Sequence, residues 1–180
     1  MTDINVLALV GSLRAASVNR QLAELAAESA SDGVTVTVYE GLGELPHYNE
    51  DIDTADAHPA VAALRAAAAN ADAALVVTPE YNGSIPGVLK NAIDWLSRPY
   101  GNGALKDKPL AVIGSALGQY GGVWAHDETR KSFGIAGPRV VETIKLSVPA
   151  TAFDGKHPRE NAEVAAAVRD VVGKLAAEVS

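Results

Sequence analysis

Short apolar runs alternate with helical patterns along the whole chain, and this alternation limits the possible fold more than any other feature. Five runs are typical of strands: Ile4–Val10, Val34–Tyr39, Ala73–Thr78, Leu110–Ser115 and Val140–Val148. The helical patterns lie near Val18–Ser31, Pro59–Asn70, Ile85–Ser97, Val123–Phe133 and Asn161–Val179. Strands that alternate with helices predict an α/β domain with a parallel sheet. At 180 residues, the chain is expected to form a single domain over residues 1–180.

The strands differ in their polarity, and this difference predicts their order in the sheet. The first, third and fourth runs are continuously apolar, as expected of strands that are buried on both faces. The second and fifth runs alternate between apolar and polar residues, so we place them at the sheet edges. With right-handed crossovers, the predicted order is 2-1-3-4-5, with helices on both faces. That order reverses between the first and third strands, and ligands bind outside the carboxyl ends of strands at such a point. We therefore expect a crevice between the loops Gly11–Asn19 and Pro79–Ser84.

The first of these loops has the features of a phosphate-binding loop. It is polar, holds Ser12, Arg14 and Ser17, and leads into a helix for which Ser17 is the predicted N-cap. The free N–H groups of a helix start, and the partial positive charge there, favour an anion. Arg14 and Arg20 lie in this region with no acidic residue in the first helical turn, so the side chains do not supply the missing negative charge. A bound anion and an ordinary serine-capped helix with two solvated arginines are both open interpretations.

Two further loops are expected at the same edge of the sheet. Thr78–Gly87 contains two prolines, an Asn-Gly turn and a predicted N-cap at Ser84, which together indicate a stiff loop. Such a loop can present backbone groups to a flat polar ring system while Tyr81 stacks on it, although a plain turn with an exposed tyrosine is the alternative. Gly114–Gly122 is glycine-rich, which permits close backbone approach, and carries a second tyrosine. The convergence of the three loops favours a ligand site more than any single loop does.

Several other kinds of site are not supported by the sequence. The absence of cysteine excludes disulfides, thiolate metal sites and a cysteine nucleophile, so any redox chemistry needs a cofactor. Neither a nucleotide-binding P-loop nor a G-x-G-x-x-G loop follows the first strand, and the nucleophile elbow of hydrolases is missing. His126, Asp127 and Glu128 are consecutive residues of a predicted helix and point in different directions, so we predict no metal site.

Charge and hydropathy restrict the partners and the location. A formal net charge of −7 argues against a nucleic-acid partner, which needs a clustered basic face. No apolar run is long enough for a membrane span, and the N-terminal residues lack the features of a signal peptide. We therefore expect a cytoplasmic protein with neither a nucleic-acid nor a membrane partner.

The residues of the three loops carry a resemblance to a known family. The chain resembles the NAD(P)H-dependent FMN reductases of the flavodoxin-like superfamily, which includes quinone, chromate and azo-dye reductases. The resemblance spans nearly the whole chain and is carried by Gly11–Asn19, by Thr78–Asn82 with Ser84–Trp95, and by Ser115–Gly122. It implies a flavodoxin-like three-layer sandwich, FMN as cofactor, and NADPH or NADH as electron donor. It also implies a small acceptor, such as free flavin, a quinone, chromate or an azo compound, and a homodimer or homotetramer.

The resemblance also assigns cofactor-binding residues. The FMN phosphate is expected to be held by Ser12, Arg14, Ser17 and Asn19, with Arg20 as a further candidate. The ribityl chain and isoalloxazine ring are expected along Pro79, Glu80, Tyr81 and Asn82, with Ser115 and Gly118 on the other side. No catalytic side chain is assigned, because hydride transfer through a flavin requires no acid, base or nucleophile from the protein. Asp94 and Trp95 are expected to support packing or a dimer contact.

Two other functions compete with this one. A flavodoxin-type electron carrier would bind the same FMN without reacting with NAD(P)H. Flavodoxins typically have phosphate loops that lack arginine, so Arg14 favours the reductase. A binding or regulatory module that has kept the fold without flavin is the second alternative, and the presence of all three loops argues against it.

Overall fold

A parallel sheet of five strands forms the centre of the protein, whose computed structural model describes residues 3–179. The strands are β1 (Ile4–Val10), β2 (Val34–Val38), β3 (Ala73–Val77), β4 (Pro109–Ala116) and β5 (Arg139–Pro149). They lie in the order β2-β1-β3-β4-β5, which confirms the predicted order. Val6 of β1 pairs with Val36 on one side and with Ala73 on the other, so both neighbours of β1 run parallel to it.

Helices cover both faces of this sheet and complete three layers. They are α1 (Val18–Glu28), α2 (Pro59–Asn70), α3 (Gly87–Leu96), α4 (Val123–Ala136) and α5 (Ala162–Ala177). One face is covered by α1 and α5, which bury Leu22 and Val168 against it. The other face is covered by α2, α3 and α4, which bury Leu64, Leu89 and Phe133. Among residues 3–179, no helix has the length and hydropathy of a membrane span.

The start of α3 differs from the prediction. The helix begins at Gly87, with Pro86 at the N-cap position, and the predicted N-cap at Ser84 is wrong. A residue that precedes proline is pushed towards extended backbone, so Ile85 cannot begin the helix. Ser84 instead exchanges two backbone hydrogen bonds with Tyr81, and its hydroxyl donates to Glu128 at 2.6 Å.

Trp95 of α3 serves packing, as expected. It is buried, and its indole N–H donates to the carbonyl oxygen of Pro46 at 2.8 Å. The ring meets Tyr48 edge-on, with 4.9 Å between the ring centroids, and the Arg65 guanidinium lies 5.6 Å from the Trp95 ring. Asp94 instead accepts a hydrogen bond from Lys90 one turn earlier.

Candidate functional site

A cavity of about 270 Å³ opens where the carboxyl ends of β1, β3 and β4 meet. All three loops that follow these strands contribute to its wall, at the point where the strand order reverses. Most of the predicted cofactor-binding residues line it: Ser12, Arg14, Ser17, Asn19, Pro79, Glu80, Tyr81, Ser115 and Gly118. Arg20 and Asn82 are not among the lining residues. The wall also includes four residues that were not predicted to bind the cofactor: Val18, Ala116 and Leu117, which lie within the predicted loops, and Ala150.

The start of α1 forms one end of this cavity. The Ser17 hydroxyl accepts a hydrogen bond from the backbone N–H of Arg20 at 3.4 Å, which confirms the predicted N-cap. The exposed Arg14 guanidinium donates only to the carbonyl oxygen of Ala16, at 3.3 Å, and forms no ion pair within residues 3–179. This end of the cavity therefore combines a helix N-terminus with a cation that has no acidic partner, which favours an anion.

Arg20 does not share this environment. Its Nε donates to Glu24 at 3.0 Å, and both of its terminal nitrogens donate to the carboxylate of Glu40. The hydrogen bond to Glu40 raises the pKa of Arg20, and the same bond lowers the pKa of Glu40. The expectation that no side chain neutralises the arginines was therefore wrong for Arg20. Glu40 follows β2, so local sequence around α1 could not reveal this partner.

The ends of β1 and β3 approach each other closely at the base of the cavity. The backbone N–H of Gly11 donates to the carbonyl oxygen of Val77 at 2.9 Å. A Cβ atom at position 11 would lie 2.3 Å from Oγ1 of the buried Thr78, which is too close for any side chain. Glycine is therefore required sterically where the first loop leaves β1.

Asn19 connects the first loop to the third. Its side-chain amide donates to the carbonyl oxygen of Ser115 at 2.9 Å and accepts from the Ser115 N–H at 2.8 Å. Both residues are buried. The Ser115 hydroxyl lines the same cavity and has no hydrogen-bond partner among residues 3–179. Buried hydroxyls nearly always have a partner, so Ser115 fits a polar ligand atom in the cavity.

Glu80 connects the second loop to α4. One of its carboxylate oxygens accepts the backbone N–H groups of Trp124 and Ala125, each at 3.1 Å. A carboxylate at a helix N-terminus is electrostatically favourable, so Glu80 caps α4 as well as lining the cavity. These partners lie 44 and 45 residues away, beyond the reach of a local sequence motif.

Tyr81 is presented by a tight hairpin turn. The turn passes through Asn82 and Gly83, whose φ values of 53° and 73° are both in the left-handed region. Asparagine and glycine adopt this region most readily, which explains why the Asn-Gly pair marks the turn. Tyr81 is 48% exposed and lines the cavity, so part of its side chain remains available for contact.

His126 of α4 lies buried behind the cavity wall. Its Nε2 donates to the carbonyl oxygen of Thr78 at 2.8 Å, and its Nδ1 accepts from the Ser147 hydroxyl at 2.6 Å, as the neutral ring allows. Burial lowers the pKa of His126, and the charge of Arg130 lowers it further, whereas the hydrogen bond that the ring donates to the Thr78 carbonyl raises it. His126 therefore supports the end of β3 as a neutral side chain.

Within residues 3–179 no group of His, Asp and Glu side chains is arranged to hold a metal ion.

A second groove, of about 440 Å³, lies between α3 and α4. It includes no residue of the three loops, and Lys90, Tyr100 and Ile135 contribute to its wall. We assign the functional site to the smaller cavity, because the start of α1, the Arg14 guanidinium and the buried Ser115 hydroxyl converge there.

Comparisons with known proteins agree with this assignment. The family described as NADPH-dependent FMN reductase matches residues 4–152. A quinone reductase of Pseudomonas putida is 46% identical over 129 residues, which cover 71% of this chain and 68% of the relative. An NAD(P)H-dependent FMN reductase of Pseudomonas aeruginosa is 37% identical over 156 residues, covering 86% of this chain and 83% of the relative. The solved structure of the flavoenzyme NAD(P)H:(acceptor) oxidoreductase from Paracoccus denitrificans superposes with a TM-score of 0.84 at 34% identity, covering 98% of this chain and 97% of that one. Taken with the strand order and the three converging loops, these matches establish that the chain is a flavodoxin-like member of the NADPH-dependent FMN reductase family.

Proposed function

We propose that this protein transfers reducing equivalents from NADPH or NADH to a small acceptor, with a quinone as the preferred class, by means of FMN in the cavity. When bound, FMN would supply the hydride-transfer chemistry between the nicotinamide donor and the acceptor. The family match supports the cofactor and the donor. Relatives named as quinone reductases support the acceptor class.

This proposal rests mainly on the difference between the two ends of the cavity, which suit two different parts of one ligand. The helix start with Ser17 and the unpaired Arg14 suits a phosphate, whereas the stiff loop at Pro79 and Tyr81 suits a flat ring. The Ser115 hydroxyl, which has no hydrogen-bond partner among residues 3–179, offers a further polar contact in the cavity. A phosphorylated ligand with a planar ring system uses all of these features.

The chain's own residues have separate roles in this proposal. Ser12, Arg14 and Ser17 hold the phosphate together with the first N–H groups of α1. Asn19 positions Ser115, and Asn82 forms the turn that presents Tyr81. The remaining residues line the ribityl chain and the ring: Pro79, Glu80, Tyr81, Ser115 and Gly118. Arg20 is held by Glu40, so we assign the phosphate charge to Arg14 rather than to Arg20.

The cavity suits a reaction in which two substrates use one place in turn. Its wall is open to solvent at Tyr81, which is 48% exposed. We propose that nicotinamide and acceptor bind successively at this open side. The protein's contribution is to orient the ring and keep that side accessible.

The test is oxidation of NADPH or NADH by the FMN-loaded protein in the presence of a quinone. We expect oxidation that requires the protein and FMN together and that increases with quinone concentration. The rival electron carrier would retain FMN but leave both nucleotides unoxidised, and that result would overturn the proposal.

We also propose that the protein is a homodimer or homotetramer. Tyr100 and Ile135 are 85% and 75% exposed beside the groove between α3 and α4. Exposed aromatic and aliphatic side chains around a groove are typical of a covered interface. Light scattering on the purified protein is expected to give the mass of two or four copies. The mass of one copy at micromolar concentration would contradict this.

The domain organisation and location are further parts of the proposal. All strands described between residues 3 and 179 form one sheet, which supports a single domain over residues 1–180. We place its action in the cytoplasm because the proposed reaction consumes NAD(P)H. Cell fractionation with detection of the tagged protein tests the location, and recovery outside the cytoplasmic fraction would contradict it.

A further inference from the structure

Three partly exposed aromatic side chains stand beside the cavity, and we call them the aromatic rim: Tyr81, Tyr120 and Trp124. Tyr81 is 48% exposed, Tyr120 60% and Trp124 59%. A cluster of large apolar groups left in contact with water typically marks a binding surface. The proposed hydride chemistry does not by itself account for Tyr120 or Trp124.

The rim is held in place by the hairpin turn of the second loop. A Cβ atom at Gly83 would lie 3.5 Å from Cε3 of Trp124, so the indole ring packs directly on that turn. The backbone N–H of Trp124 donates to Glu80, which fixes the residue on the first turn of α4. The rings of Tyr120 and Trp124 have centroids 6.4 Å apart and planes inclined by 45°. The aromatic rings are therefore positioned by neighbouring elements.

The rim is continuous with the wall of the cavity. Tyr81 itself lines the cavity. Tyr120 lies in a turn closed by the N–H of Gly121 and the carbonyl oxygen of Gly118, and Gly118 also lines the cavity. Glu80, which anchors Trp124, is a third residue of the wall. A planar molecule at the open face of the cavity thus meets aromatic side chains at the edge of the site.

We propose that the aromatic rim binds the ring of a planar aromatic acceptor, a quinone, and that Trp124 is a specificity-determining residue for it. This inference rests on the proposed function, because it concerns the second substrate of the same site. Aromatic rings attract one another in offset or edge-to-face arrangements, an interaction that a compact non-aromatic oxidant cannot make. In the overall reaction NAD(P)H gives up a hydride, and the quinone gains two electrons and two protons to become a hydroquinone. The second proton comes from water.

The test compares two acceptors with the FMN-loaded protein. Menadione represents planar quinones, and ferricyanide represents compact non-aromatic oxidants. We expect Trp124→Ala to raise the KM for menadione about fivefold with little change in kcat, because the loss is one of aromatic binding. We expect Trp124→Phe, the matched conservative variant, to keep the menadione KM within about twofold of wild type. The KM for ferricyanide is expected to stay within about twofold in both variants.

Fluorescence gives a readout that does not depend on turnover. The chain has two tryptophans, the exposed Trp124 and Trp95, which is 1% exposed. Menadione bound at the rim is expected to quench the emission of Trp124 in a saturable manner. In Trp124→Phe only Trp95 remains, so that saturable component is expected to disappear.

Three results would overturn the assignment of the rim. The first is an unchanged KM for menadione in Trp124→Ala, and the second is an equal change for both acceptors. The third is saturable quenching that persists in Trp124→Phe. A wild-type protein that oxidises no NAD(P)H with either acceptor would instead overturn the proposed function on which the inference depends.

Discussion

The side-chain amide of Asn19 and the backbone of Ser115 form two hydrogen bonds that join the start of α1 to the end of β4. The amide donates at 2.9 Å and accepts at 2.8 Å, across 96 residues of sequence. Both residues are buried, so loss of these bonds would leave the backbone groups of Ser115 poorly hydrated. The Asn19 side chain therefore helps to fix the first loop of the cavity against the third.

Replacing this amide is expected to destabilise the protein and weaken cofactor binding together. Asn19→Ala leaves the N–H and C=O of Ser115 without partners, so we expect a loss of about 2 kcal/mol in the free energy of unfolding. Urea unfolding measures that loss, and fluorescence titration measures FMN affinity. Asn70→Ala, at an exposed position near the end of α2, is the control and is expected to change the stability by less than about 0.5 kcal/mol. Equal stability of the two variants would contradict the role of the Asn19 amide.

The two arginines near the start of α1 are expected to differ in their effect on FMN. Arg14→Ala removes a cation that has no acidic partner among residues 3–179, so we expect FMN affinity to fall about tenfold without a change in the far-UV circular dichroism spectrum. Arg20→Ala is the matched control. Because Glu24 and Glu40 occupy its guanidinium, we expect a change of less than about twofold. Unchanged affinity in Arg14→Ala, or a larger loss in Arg20→Ala, would contradict the assignment of the phosphate site.

Two glycines are expected to respond in opposite ways to alanine. In Gly11→Ala the new Cβ would lie 2.3 Å from Thr78 Oγ1, so the strands must separate and we expect a loss of about 2 kcal/mol. Gly173 lies inside α5, where a Cβ atom would meet nothing within 4 Å. Gly173→Ala is expected to stabilise the protein by about 0.5–1 kcal/mol, because alanine favours the helix. Thermal unfolding measures both changes, and a Gly11→Ala variant as stable as the wild type would contradict the close contact with Thr78.

His126 is expected to make stability fall as the pH is lowered. Burial depresses its pKa below the usual 6.5, so the unfolded chain takes up the proton more readily than the native protein does. The contribution of neutral His126 to stability is therefore complete above about pH 6.5. It is lost as the pH falls towards the pKa of His126 in the native protein. Arg130 adds to the depression, whereas the Thr78 carbonyl, Glu80 and Asp127 oppose it.

The matched variant for this effect is His126→Gln, which can still hydrogen-bond to the Thr78 carbonyl but cannot titrate. Urea unfolding of both proteins at about pH 7.5 and about pH 5.5 isolates the contribution of His126, because the other histidines are common to both. We expect the wild type to lose more stability than the variant between these two pH values. Equal losses would show that His126 does not couple folding to pH.

Local patterns in the sequence were sufficient to predict the sheet and the position of the cavity. The contrast between the apolar run AALVV of β3 and the alternating VTVTV of β2 predicted which strands are central, and the loops then followed from the strand order. The remaining features depend on contacts between distant parts of the chain. Glu40 pairs with Arg20, and Glu80 caps α4. Neither contact produces a periodic or local pattern in the sequence. The predicted N-cap at Ser84 was wrong because Pro86, two positions later, forces Ile85 into extended backbone.

The central claim is that the cavity holds FMN and that this FMN reacts with a nicotinamide donor. The absorption spectrum of the FMN-loaded protein tests this claim most directly. The protein is loaded with FMN, freed of unbound flavin, mixed with NADPH or NADH without air, and then exposed to air. We predict a bound-flavin band that bleaches with at least one nucleotide and returns with oxygen. Failure to retain flavin after incubation with excess FMN, or a band that persists with both nucleotides, would contradict the account.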